Sequence, residues 1–117
     1  MSAVSAKVLE QLLAFRRERN WEQFHTPKNL AIALTVESSE LLECFQWASD
    51  DELKDIVHRQ REAIEDEIAD IAILLSYLCH DLHVDLDCAV LSKLEKNKKK
   101  YPTHLAFGVA SKYDKLK

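Results

Sequence analysis

With one glycine and two prolines in 117 residues, this chain has almost no means of making tight turns. Hairpins and short strands need frequent turn-formers, so their scarcity favours long helices joined by brief connections. The apolar pattern agrees with this. Ile64, Ile68, Ile71, Leu75, Leu78 and Leu82 recur at three- and four-residue spacing, which places them along one stripe of a helix that must pack against another. The spacing predicts a first amphipathic helix over 4–19 with its cations toward the C-terminal end. An aromatic-rich ordered loop follows over 21–27, where Pro27 disfavours helix at Thr26 and Thr26 can cap the next one. A second helix runs from there to about Trp47. A short helix over 50–58 follows Ser49 as its cap, a third long helix covers 59–83, and a fourth starts at Asp85 and runs out in the lysines up to Lys100. Residues 103–117 show no period and read as a C-terminal tail. The expected fold is all-α, an antiparallel bundle of four to five helices, with residues 1–117 as a single domain small enough to gain from oligomerisation.

Composition narrows the function classes. A formal net charge of −4 argues against a nonspecific nucleic-acid binder. Cys44, Cys79 and Cys88 are odd in number and lack C-x-x-C spacing, as expected of reduced thiols. The N-terminus has no apolar signal-peptide core, and the longest apolar run is interrupted at Ser76, His80 and Asp81. The expectation is a cytoplasmic protein that does not enter a membrane.

Four acids stand where apolar residues would be expected. One face of the second helix reads Leu30, Ala33, Glu37, Glu40, Cys44, Trp47, and a stripe of the third reads Ala63, Glu67, Asp70, Leu74, Tyr77. No Lys or Arg occurs over 29–53 or over 62–92, so local salt bridges cannot neutralise either pair. Burying an unpaired carboxylate is very costly, whereas a hard divalent cation held through oxygen resolves several at once. If the two interrupted stripes face each other, Glu37, Glu40, Glu67 and Asp70 form an oxygen-only cage suited to Mg²⁺, or to Mn²⁺, rather than Zn²⁺. Magnesium shares its shell readily with phosphate oxygens, which points to a nucleotide polyphosphate as substrate. The bland reading is that such acid pairs are solvated helix faces; two pairs inside apolar stripes with no base nearby weigh against it. Glu43 reads as either a supporting or a solvated acid, and Asp66 as surface.

Trp21 and Trp47 flank this region and suit either the core or stacking on a nucleobase. His25 and Asn29 can hydrogen-bond a base or sugar, or cap a helix. Cys79, His80 and His83 read as structural, because adjacent residues point to different helix faces. Lys93, Asn97 and Lys100 share a face, and Lys93 and Asn97 are the residues expected to meet a polyanion.

The ordered set Trp21-Glu22-Gln23-Phe24-His25, Glu37-x-x-Glu40 leading to Phe45-Gln46-Trp47, Glu67-x-x-Asp70, and Lys93 with Asn97 and Tyr101-Pro102 resembles the MazG-like all-α nucleoside triphosphate pyrophosphohydrolases, particularly their dCTP pyrophosphatase branch. The resemblance covers about residues 5 to 105. It implies cleavage of a (d)NTP between the α and β phosphates to (d)NMP and pyrophosphate, a nucleotide-pool house-cleaning role, and a homodimer or homotetramer. It also implies that Glu37, Glu40, Glu67 and Asp70 hold Mg²⁺ and that Trp21, His25, Trp47, Lys93, Asn97 and Tyr101 contact the nucleotide. The chain departs from the vertebrate dCTP enzymes at Leu12 and Leu74, where those have a His and a Tyr near the base, which implies a broader choice of base. A carboxylate-bridged di-iron bundle is disfavoured, since it needs two Glu-x-x-His motifs and only Glu22-x-x-His25 fits. The remaining alternative is a non-enzymatic helical interaction module with a structural divalent-cation site.

Overall fold

In the computed structural model, residues 3–116 are described and every regular element among them is helical. Helix α1 spans Ala6–Glu18, α2 Pro27–Glu43, α3 Leu53–Arg59, α4 Arg61–Asp81, α5 Leu86–Lys100 and α6 Thr103–Ala106, with single 3₁₀ turns at Glu22–Phe24, Asp50–Glu52 and Tyr113–Lys115. The chain divides into two compact units, Met1–Val84 and Asp85–Lys117.

The caps explain where the helices of the first unit begin. The Ser5 hydroxyl accepts from the Val8 N–H at the start of α1, and Thr26 accepts from the Asn29 N–H at 3.1 Å, with Pro27 as the first residue of α2. α2 ends at Glu43, four residues before the Trp47 expected from the sequence. Beyond it the Phe45, Gln46 and Ala48 N–H groups bond back to Leu42 and Phe45 in a looser turn. The Ser49 hydroxyl, expected as a backbone cap, instead donates to Glu52 Oε1 at 2.8 Å.

Helices α1 and α4 end alike. After α1, the Asn20 N–H bonds to the Arg17 carbonyl and the Trp21 N–H to the Arg16 carbonyl; after α4, His83 bonds to His80 and Val84 to Cys79. This is the Schellman pattern, and it requires a left-handed residue, here Asn20 at φ 54° and His83 at φ 55° rather than glycine. After α1 it brings Trp21 back against Phe15 of that helix.

The first unit is organised around α2 packed on α4, with Leu30 from α2 and Ile64, Tyr77 and Cys79 from α4 among its buried side chains. Of the heptad stripe on α4, Ile64 is buried, but Ile68 and Leu82 are about half exposed. In the second unit Asp85 caps α5 through the Cys88 N–H at 3.1 Å, as its sequence suggests. The stretch expected as a tail carries α6, and the Tyr101 and Tyr113 rings meet edge to face at 6.3 Å. No helix among the described residues is long and apolar enough to cross a membrane.

Candidate active site

Packing α2 on α4 brings three of the four acids together. Glu37, Glu67 and Asp70 each offer a carboxylate oxygen, and these oxygens lie within 4.8 Å of one another. Glu40 falls outside that set but lies near enough to Glu37 to affect its protonation through a hydrogen bond and through charge. Glu37 Oε2 and Glu67 Oε2 are shut off from solvent and have no hydrogen-bond partner. The ion pairs among the described residues include none of these acids.

The Glu37 carboxyl is pushed up to about 7, first by a hydrogen bond shared with Glu67, then by burial, then by Glu40 and the charge of Asp70. Both observations have one cause. With both carboxylates ionised, neither oxygen can donate and the buried atoms stand unpaired; a proton on Glu37 converts it into a donor toward Glu67. A proton or a cation can therefore satisfy the cluster. An all-oxygen donor set with two orphaned buried atoms fits a hard divalent ion.

Beside these acids lies a cleft of about 330 Å³, lined by Leu12 and Phe15 of α1, Trp21 and His25 of the following loop, Glu37 of α2, and Asp70, Ile73, Leu74 and Tyr77 of α4. That volume is at the small end of ligand-binding pockets. Its aromatic wall is continuous: Phe15 meets Trp21 edge to face at 5.6 Å, Trp21 meets His25 at 6.4 Å, and His25 meets Tyr77 at 5.3 Å. Burial, and secondarily the Arg16 charge, hold His25 below the ordinary histidine pKa and favour its neutral form. The Tyr77 hydroxyl donates to the Leu12 carbonyl at 2.8 Å, so this buried side chain meets the cleft with its polar end already satisfied.

A family model described as MazG-like matches residues 32–116. This chain belongs to the MazG-like family. It is 46% identical over 104 residues to dCTP pyrophosphatase 1 of Mus musculus, and 45% identical over 104 residues to the Homo sapiens protein of that name. Each match covers 87% of this chain and 61% of the relative, so the chain spans less than two thirds of the length of the curated relatives it matches. A crystal structure of a pyrophosphatase from Archaeoglobus fulgidus superposes with a TM-score of 0.79 at 44% identity, covering 82% of this chain and 90% of that one. The all-α MazG-like fold expected from the sequence is thus the fold of this chain.

Among the other expected site residues, Trp21 and His25 line the cleft, and Trp47 does not. Trp47 is 88% exposed, which corrects its alternative reading as a core residue: α2 ends before reaching it, so the helical stripe does not carry it inward. Asn29 caps the turn before it, its side-chain amide donating to the Phe24 carbonyl at 2.9 Å. Lys93, Asn97 and Tyr101 belong to the second unit, on α5 and at its C-terminal cap. Glu43 and Asp66 are exposed. Sequence reasoning did not assign Phe15, Ile73 or Tyr77 to the cleft. For Ile73 and Phe15 no pattern marked the role, whereas Tyr77 stands on the same stripe as Glu67, Asp70 and Leu74, which was the signal for it.

Proposed function

We propose that this MazG-like chain is a divalent-cation-dependent nucleoside triphosphate pyrophosphohydrolase. It cleaves (d)NTPs, dCTP-like ones foremost, to (d)NMP and pyrophosphate as cytoplasmic house-cleaning. The observation that carries this reading is that Glu37 and Asp70 line the same cleft as Trp21, His25 and Tyr77. A ligand filling that cleft needs a flat, stackable part and a strongly anionic part that reaches carboxylates only through a cation, which describes a nucleotide polyphosphate. The similarity to the Mus musculus and Homo sapiens dCTP pyrophosphatases supports dCTP, and that to the Archaeoglobus fulgidus pyrophosphatase supports pyrophosphatase chemistry.

Glu37, Glu67 and Asp70, with Glu40 beside them, would hold Mg²⁺, with Mn²⁺ as a substitute. When bound, such an ion supplies charge neutralisation for the triphosphate and acidifies a water molecule. The Glu40 carboxylate accepts the proton of the attacking water. Trp21 stacks on the base, neutral His25 offers it a hydrogen bond, and the aromatic and leucine lining excludes water from it. Trp47, Lys93, Asn97 and Tyr101 are further nucleotide contacts on the strength of their chemistry: an exposed indole, a cation, an amide and a phenol. The homodimer or homotetramer is supported by apolar residues left in solvent on the core helices, Ile32 and Val36 one turn apart on α2 and Ile68 on α4.

The test is a panel of dNTPs and NTPs with Mg²⁺, scored for pyrophosphate against orthophosphate release. Pyrophosphate from dCTP is expected, and Glu40→Gln and Asp70→Asn each abolish it while circular dichroism shows unchanged helical content. Orthophosphate as the first product, or full activity in either variant, defeats the reading.

A further inference from the structure

Behind the aromatic wall of the cleft, α1 and α4 are joined by a bidentate ion pair that sequence reasoning did not anticipate. Arg16 Nη1 donates to Asp81 Oδ2 and Nη2 to Asp81 Oδ1, both at 2.8 Å, between residues 65 apart in the chain. The Arg16 side chain is 6% exposed and that of Asp81 26%. The guanidinium carbon lies 4.5 Å from the centre of the Tyr77 ring, so the cation is stacked against one cleft residue while its fork is held by the carboxylate. Tyr77 is thereby fixed twice, by the stack and by its hydroxyl bond to Leu12, and the His25 ring rests 5.3 Å from it.

Such a pair is a poor way to gain stability alone, because desolvating two charges costs about as much as their attraction returns and an apolar pair of equal volume serves as well. What a planar fork adds over apolar packing is a single orientation. Arg16 Nε and His25 Nδ1 are both buried without a partner, as expected where geometry around Tyr77 has been kept at the expense of full hydrogen bonding.

We propose that the Arg16–Asp81 ion pair is a positioning device for the nucleotide cleft: by locking Tyr77, and His25 against it, the pair sets how tightly the base is held without entering the cleavage step. This rests on the nucleotide-hydrolase reading above. Neither residue lines the cleft, and neither belongs to the carboxylate cluster.

The test compares the wild type with Arg16→Met/Asp81→Leu, which replaces the pair by apolar side chains, and with Arg16→Lys, which keeps the charge and loses the fork. For each, the rise in melting temperature with Mg²⁺ reports the carboxylate cluster, and steady-state kinetics on dCTP separate KM from kcat. The expected result is a normal Mg²⁺ response in both variants, KM raised tenfold or more, and kcat within about threefold. A wild-type KM in either folded variant overturns the proposal, as does a fall in kcat with KM unchanged. If Arg16→Lys folds and the double variant does not, the pair is a structural brace and the proposal fails. A wild-type protein inactive on every nucleotide instead defeats the functional reading and this inference with it, an outcome distinguishable because no variant is needed to see it.

Discussion

At Glu37 a proton and a divalent cation compete for the same carboxyl. The folded protein holds this proton up to about pH 7, against an ordinary value of 4.5. A carboxyl whose folded pKa is raised contributes most below its unfolded value, and that contribution is lost as pH rises through the folded one. The cation-free protein is therefore expected to lose stability between pH 4.5 and about 7, and Glu37→Gln to flatten that loss in thermal melts. Mg²⁺ should raise the melting temperature well above this window and have little effect at its acid end, because only the ionised cluster binds it. In Glu37→Gln the Mg²⁺ response should disappear, with a melting point a few degrees above that of the cation-free wild type. Asp81 has the opposite sign. Its bond to Arg16 holds it below its ordinary 3.8, so its contribution is present above that value and is lost as pH falls through the folded one. Asp81→Asn leaves a buried guanidinium unpaired and should cost about 3 kcal/mol in denaturant unfolding at neutral pH.

Helix interiors carry most of the cleft lining, and a helix end decides where its loop residues Trp21 and His25 stand. The Schellman turn after α1 puts Trp21 beside Phe15, and the matching turn after α4 closes that helix just past Asp81. His83 pays for its left-handed backbone at φ 55°, whereas glycine would not. His83→Gly is expected to stabilise the protein by about 1 kcal/mol in chemical denaturation, reduced by the extra entropy glycine has when unfolded. Asn20→Gly should gain less, because asparagine tolerates this region better. In the interface of α2 and α4, Leu30 is 1% exposed, and Leu30→Ala should cost about 3 kcal/mol. Loss on that scale would splay the acids apart, so Mg²⁺ stabilisation should fall in the same variant.

On the scale of the whole molecule, few large side chains among the described residues are fully buried and many apolar ones are exposed, among them Ile32, Val36, Leu42 and Ile68. If these faces meet a second copy, sedimentation should report a dimer or tetramer, and Ile68→Glu should shift it toward monomer by burying a charge in the contact. The five longer helices and the caps of α2 and α5 were legible in the sequence, because three- and four-residue periodicity, Thr26-Pro27 and Asp85 act locally, whereas the Ser49 cap failed and α6 was read as tail. So were the acids, since a carboxylate in an apolar stripe is conspicuous wherever the helix goes. Trp47 was misread as a candidate for the core because helical periodicity was carried past Glu43, where α2 stops. Local chemistry therefore determined the elements and the residues able to bind a cation. That Glu37, Glu67 and Asp70 converge while Glu40 stands just outside, that Tyr77 and Phe15 complete the cleft wall, and that Arg16 meets Asp81 across 65 residues were decided only in three dimensions. Those contacts depend on the rotation of α1 and α2 against α4, which is set by the packing of many side chains together and written in no single stretch of chain.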